Sequence, residues 1–201
     1  MIRRFLPFVF VAAALAADPA ATLSPAQREI QMAQQAAQRD PRRAQPLADV
    51  AMGFLRRARE TSDPQYLDRA ERSIDQALGI EKDSIEALRA RVTVLNARHR
   101  YEEAIDLGRK LNQRIPDDVQ IYGLLAEAYM ALGQYQKAET EAQWMIDMRR
   151  GNLGGMVRGA LLREVYGDPV GALEWLNSAL RLTGVAQTEE RAWILCQIAR
   201  V

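Results

Sequence analysis

Cysteine and histidine each occur once in the 201 residues, as Cys196 and His99. One cysteine forms no internal disulfide, so packing must hold the fold. A zinc site of the histidine–cysteine type lacks its ligand set. Charge of one sign is missing too: 27 Lys and Arg stand against 26 Asp and Glu. The chain therefore lacks the positive field of a nucleic-acid binder, and its charges interleave as on a solvated helical surface. No apolar run reaches the roughly 20 residues that span a bilayer; Phe5 to Leu15 is an apolar run of 11 residues. β-branched runs are scarce. What is abundant is Ala, Glu, Gln, Arg and Leu, which favour helix throughout. Hydrophobic content of 48% and charged content of 26% suit a folded globular chain.

The N-terminus has the three parts of a secretory leader. Met1-Ile2-Arg3-Arg4 is basic, Phe5 to Leu15 is apolar, and Ala14-Leu15-Ala16 is a small-x-small cleavage site. The paired arginines are one residue out of twin-arginine spacing, and no cysteine follows for lipidation. Residues 1–16 are thus expected to be a cleaved signal peptide, making the protein exported, periplasmic or secreted. The alternative is an uncleaved segment that anchors it to the inner membrane. Without residues 1–16, 25 basic side chains face 26 acidic ones.

Shifting the chain by 34 residues against itself aligns Ala70, Ala104, Ala138 and Ala172. Further columns are Ala77, Leu111, Met145, Ala179 and Leu67, Tyr101, Tyr135, Pro169. Upstream lie Leu88, Tyr122, Met156 and Val92, Ala126, Ala160, and His99 shares a column with Gly133 and Gly167. Apolar residues recur at three- and four-residue spacing, as in paired amphipathic helices. Small residues fall where two helices approach most closely. Gly133 and Gly167 stand where a first helix ends in a left-handed residue, and Asp63-Pro64 and Asp168-Pro169 are turn and cap signals.

Tyr122-Gly123-Leu124-Leu125-Ala126-Glu127-Ala128-Tyr129, followed by Leu132-Gly133-Gln134-Tyr135-Gln136-Lys137-Ala138, resembles the tetratricopeptide repeat, a 34-residue helix–turn–helix. Arg100-Tyr101-Glu102-Glu103-Ala104 with Pro116, and Tyr166-Gly167-Asp168-Pro169 with Ala172, Leu176 and Ala179, are similar to it. The chain departs from the family at Ile74, Gly108, Ala142 and Leu176, where a large aromatic is usual, and at Arg163, which takes the place of Tyr129. The resemblance implies an all-α, right-handed α-solenoid of stacked hairpins. Four hairpins are expected over 44–184, at 44–84, 85–118, 119–152 and 153–186. They lie between an N-terminal helix and linker (17–43) and a C-terminal helix (187–201). Phe54 to Ala70 is seven residues longer than Tyr129 to Ala138. One extra heptad keeps the apolar stripe on nearly the same face, so the first hairpin is expected to be elongated.

No catalytic constellation emerges. His99 reads as an exposed turn residue and Cys196, within Trp193-Ile194-Leu195-Cys196, as a buried thiol. Gly151-Asn152-Leu153-Gly154-Gly155 lacks the strand and lysine of a phosphate loop and reads as a turn. Asp117-Asp118 reads as a helix cap. Neither metal nor cofactor is expected, nor an enzyme. In the family the first helices line a concave groove that takes a partner's peptide or helix. Helical geometry puts Met52, Arg89, Thr93, Asn96, Glu127, Met130, Arg158 and Leu161 on that stripe. The last helix is apolar nearly all round, where a terminal helix should be polar outside. Trp193, Ile194 and Ile198 are therefore candidate interface residues. Three readings stay open: an envelope scaffold that binds a protein, the repeat arm of a larger enzyme or transport complex, and a homo-oligomer joined through the last helix.

Overall fold

The structure is a computed structural model that describes residues 23–185 and 187–201. The expected leader, residues 1–16, lies outside them. The described residues form helices and turns only: α1 (Pro25–Arg39), α2 (Gln45–Thr61), α3 (Gln65–Ile80), α4 (Ile85–Ala97), α5 (Tyr101–Arg114), α6 (Val119–Ala131), α7 (Tyr135–Met148), α8 (Leu153–Val165), α9 (Pro169–Leu182) and α10 (Thr188–Arg200). Each helix packs on the next, and α2, α4, α6 and α8 also pack on one another in series, as in a helical solenoid. None of these helices is long and apolar enough to cross a membrane.

The 34-residue columns are the contacts that hold this array. Ala70, Ala104, Ala138 and Ala172 are each 0% exposed. A larger side chain there would force apart the two helices of a hairpin. Three first helices end in the same way. Gly133, at φ +69°, donates its N–H to the Met130 carbonyl, and Gln134 donates to Tyr129. The same pair of bonds recurs at Gly167–Asp168 and at His99–Arg100. This is a Schellman ending, whose turn residue must be left-handed. His99 adopts φ +60° there despite its side chain.

The starts of the first helices share a column that the sequence comparison overlooks. Ser84, Asp118 and Asn152 stand 34 apart, and each accepts a backbone N–H of its own first turn. Serine, aspartate and asparagine look unrelated by hydropathy, yet each supplies an acceptor oxygen. Asp168 caps α9 through the N–H of Gly171 at 2.8 Å, with Pro169 in the first turn.

The extra residues of the first hairpin lengthen its helices. α2 has 17 residues where α4, α6 and α8 have 13 each, and α3 has 16 where α5, α7 and α9 have 14. α1 lies close against α2: a Cβ at Gly53 would sit 2.7 Å from Ile30 Cγ1. Glu60 fastens α1 from below, accepting from Ser24 Oγ at 2.6 Å, Ala26 N at 3.0 Å and Arg57 Nη1 at 3.0 Å. Burial works against its charge, but these hydrogen bonds outweigh burial and hold its carboxyl below the usual range. A depressed carboxylate contributes stability above its unfolded pKa and loses it as pH falls through the folded one. Amide exchange in α1 should therefore speed up relative to α6 as pH drops below about 4, after correction for intrinsic rates. Glu60→Gln should show the faster α1 exchange at neutral pH. Equal α1 and α6 protection down to pH 3 would contradict this role.

Two local expectations are corrected. In the segment Gly151–Gly155 only Gly151, at φ +74°, and the cap Asn152 make the turn; Gly154 and Gly155 belong to α8. There glycine is needed for close approach, since a Cβ on Gly155 would lie 2.9 Å from Ile146 Cγ1. Cys196 is exposed, not buried. α10 turns Ile194, Ile198 and Val201 into the cluster with Val157, Ala160, Leu176 and Ala179, and that orientation leaves the thiol outside.

In the fourth hairpin the bulk has changed sides. Gly159 and Arg163 stand in the columns of Leu125 and Tyr129, so α8 lacks both large side chains. Trp175 of α9 fills the space. A Cβ on Gly159 would lie 2.3 Å from the Trp175 ring, and the Arg163 guanidinium sits 5.2 Å from its centroid.

Candidate functional site

The inner side of the solenoid encloses a cavity of about 760 Å³. Its lining comes from both ends of the chain. Met52 projects from α2, Glu127 and Met130 from α6, Leu153, Val157, Arg158 and Leu161 from α8, and Glu189, Glu190 and Trp193 from α10. An adjoining depression beside α4 shares Arg59 and Glu127 with it and adds Leu67 and Thr93. The surface is continuous and mostly apolar, with charges around it.

Arg56 of α2 joins the two ends. Its guanidinium pairs with Glu29 of α1 and with Glu189 of α10, 133 residues further on. Burial lowers the arginine's affinity for its proton, and the two carboxylates more than restore it. Arg158 is fixed differently. It donates from Nε to the Gly123 carbonyl at 3.0 Å and from Nη1 to the Gly154 carbonyl at 3.2 Å. Glu127 stands 3.8 Å from Nη2. Burial pulls this guanidinium below its ordinary pKa, and Glu127 recovers part of the shift. Among the described residues, Arg59 and Glu190 line the cavity without an ion-pair partner.

The residues expected on the groove separate into three groups. Met52, Glu127, Met130, Arg158 and Leu161 line the cavity, and Thr93 lines the adjoining depression. Arg89 is held away from both, donating to Gln120 Oε1 at 2.8 Å and Asp118 Oδ2 at 2.6 Å. Asn96 is buried, with its amide 3.0 Å from the Leu124 carbonyl. Arg89 and Asn96 thus tie α4 to the start and the middle of α6. Of the last-helix candidates, Ile194 is buried and Ile198 packs with it in the chain's own core, while Trp193 opens into the cavity. Sequence reasoning missed Glu29, Arg56, Arg59, Val157 and Glu190. Glu189 and Glu190 stand in the first turn of α10, where acidic residues suit the helix dipole whatever else they do.

The cavity offers thioethers, aliphatic groups, an indole and rim charges. It contains no histidine or cysteine, and its hydrogen-bonding side chains are carboxylates, guanidiniums and the indole of Trp193. Among the described residues no cluster of three or more His, Cys, Asp or Glu is placed to hold a metal ion.

Residues 95–143 match the tetratricopeptide-repeat family. No curated protein matches the chain. Solved structures resemble it at the level of fold. A tetratricopeptide repeat protein from Parabacteroides merdae aligns at 14% identity with a TM-score of 0.68, covering 85% of this chain and 64% of that one. MamA from Desulfovibrio magneticus aligns at 17% with a TM-score of 0.57, covering 78% and 85%. The Yersinia enterocolitica type III secretion translocator chaperone SycD aligns at 18% with a TM-score of 0.55, covering 64% and 97%.

Proposed function

We propose that this tetratricopeptide-type solenoid is a non-catalytic scaffold of the bacterial cell envelope that binds a segment of a partner protein in its concave cavity. The observation that carries this reading is the cavity itself: Met52, Met130, Leu161 and Trp193 converge on it from four helices. Methionine adapts its shape to an irregular partner, and indole supplies a large anchor. A volume near 760 Å³ has room for several side chains of a peptide or one face of a helix. Glu127, Glu190 and Arg59 at the margin orient the segment more than they hold it. The fold shared with a secretion chaperone fits a protein-binding role. The envelope assignment rests on the basic, apolar and small-residue parts of residues 1–16.

The test is a photo-crosslinking residue at position 130 in cells, followed by identification of the attached protein. The captured partner's affinity is then measured with the purified chain. Met130→Glu with Leu161→Glu should weaken binding at least tenfold, about 1.4 kcal/mol. Both side chains are partly buried against core clusters, so a helical signal and urea transition must show the variant folded before its binding is compared. Binding unchanged in a folded double variant would overturn the groove assignment. N-terminal sequencing of the mature protein should begin at Ala17. A cytoplasmic protein that keeps Met1 would overturn the envelope location.

A further inference from the structure

Every residue that lines the cavity lies in a helix, and none of them is Ser, Thr, Asn or Gln. A helix pairs its own N–H and C=O groups along its axis, so its flank offers a guest no backbone partners. Only the first turns of α8 and α10 keep free donors, at one end of each. An extended guest brings an unpaired N–H and C=O at every residue, and those turned to such a wall would stay unpaired. A helical guest satisfies its own backbone and presents side chains alone. Met52, Met130, Leu153, Leu161 and Trp193 then take the apolar side chains that such a helix repeats at i, i+3, i+4 and i+7.

Arg158 adds a second demand. It stands in the column of Ala90 and Leu124, so the fourth hairpin puts a charge where the second and third have apolar groups. Its guanidinium lies against two glycines. A Cβ on Gly123 would sit 3.4 Å from Nη2, and one on Gly154 3.3 Å from Nη1. The carbonyls of the same two residues accept from Nε and Nη1. Nη2 is left over: Glu127 stands 3.8 Å away, too far for a hydrogen bond, and among the described residues no other acceptor reaches it. Carbonyl dipoles thus hold the head group while its charge stays unbalanced, in a place where burial already disfavours that charge.

We infer that the cavity takes an amphipathic α-helix of a partner protein whose apolar stripe carries one Asp or Glu side chain, and that this carboxylate pairs with Nη2 of Arg158. The inference rests on the reading of the cavity as a protein-binding groove and names what fills it. A carboxylate suits the place better than a neutral acceptor, because it answers both the free N–H groups and the unbalanced charge. Glu127 competes for the same nitrogen and repels the guest's carboxylate.

The experiment selects phage-displayed random peptides of about 16 residues, more than four helical turns, on the purified full chain. The peptides are joined to the coat protein through their C-termini, so no free terminal carboxylate is on offer. Enriched peptides whose binding Met130→Glu with Leu161→Glu weakens should carry apolar residues at i, i+3, i+4 and i+7, one Asp or Glu among them, and no proline. The tightest of them, synthesised with an amidated C-terminus, should gain helical signal on binding. Replacing its acid by the matching amide should weaken binding about tenfold or more. On Arg158→Gln the two forms should bind alike. Glu127→Gln, at an exposed position, should tighten the acidic peptide several-fold and leave the amide form unchanged. If Arg158→Gln fails to fold, the peptide pair and Glu127→Gln still decide. Enriched peptides that are rich in proline, or that bind without gaining helix, overturn the helical guest and leave the groove standing. Helical peptides without an acid overturn the pairing with Arg158, as does a Glu127→Gln variant that binds the acidic peptide more weakly. If no enriched peptide is weakened by the Met130 and Leu161 changes, the groove itself falls, and this inference with it.

Discussion

Replacing Tyr129 by alanine is expected to cost about 3–5 kcal/mol of folding stability. The ring is 1% exposed and belongs to the largest of the buried clusters, between α5, α6 and α7. Its removal leaves a cavity that the surrounding side chains, among them Leu95, Leu125 and Leu162, cannot fill without moving helices. Its hydroxyl accepts from Arg109 Nε at 2.7 Å, and Arg109 and Lys137 lie 5.7 and 5.5 Å from the ring centroid. Tyr129→Phe keeps the ring and removes only the hydroxyl. Arg109 is exposed, and water replaces the lost acceptor, so this change should cost about 1 kcal/mol. Urea titrations of the three proteins separate the two contributions. A domain of this size has about 5–15 kcal/mol in total, so the alanine variant should be severely weakened. A loss below 1 kcal/mol for alanine would mean that this ring does not hold the middle hairpins together.

The second large effect concerns the hairpin whose bulk changed sides. Gly159→Leu should destabilise by about 1–3 kcal/mol, because the new side chain enters space that the Trp175 ring occupies. Trp175→Leu should also destabilise, by about 2–4 kcal/mol, through the void it leaves against α8. Combined, they put a leucine on the first helix, in the column of Leu125, and remove the ring that blocks it. The double variant should recover about 2 kcal/mol relative to the sum of the singles. Additive losses would show that Trp175 and Gly159 do not share one packing space.

The fold was legible where steric demand recurs at a fixed interval. Ala138 and its equivalents sit where only a small side chain fits, and Gly133 and Gly167 where a left-handed backbone is required, so identity itself repeats. The cap column escaped because its demand is for an oxygen, which serine, aspartate and asparagine meet equally. The shift of bulk from the Leu125 column to Trp175 escaped because it moves to the other helix of the hairpin and so to a different column. Helical periodicity placed Met52, Met130 and Leu161 on the inner side. It could not say that Arg89 would turn away to Asp118, since that depends on the neighbouring helix. Cys196 was misread because an apolar run gives the hydropathy of α10 and not the side that meets α9. Arg56 was out of reach altogether. Its partner Glu189 is 133 residues away, and only the curvature accumulated over four hairpins brings the two together.

That one contact changes the mechanics of the molecule. A stacked-repeat protein is ordinarily a spring whose turns feel only their neighbours. Here the first and last turns are buttoned to each other, so the coil behaves as a ring with a seam. The seam is an ion pair at the surface, worth about 1 kcal/mol or less and screened by salt. Opening the seam, whether to widen the ring for a bulky guest or to stretch the coil along its axis, thus costs little more than thermal energy.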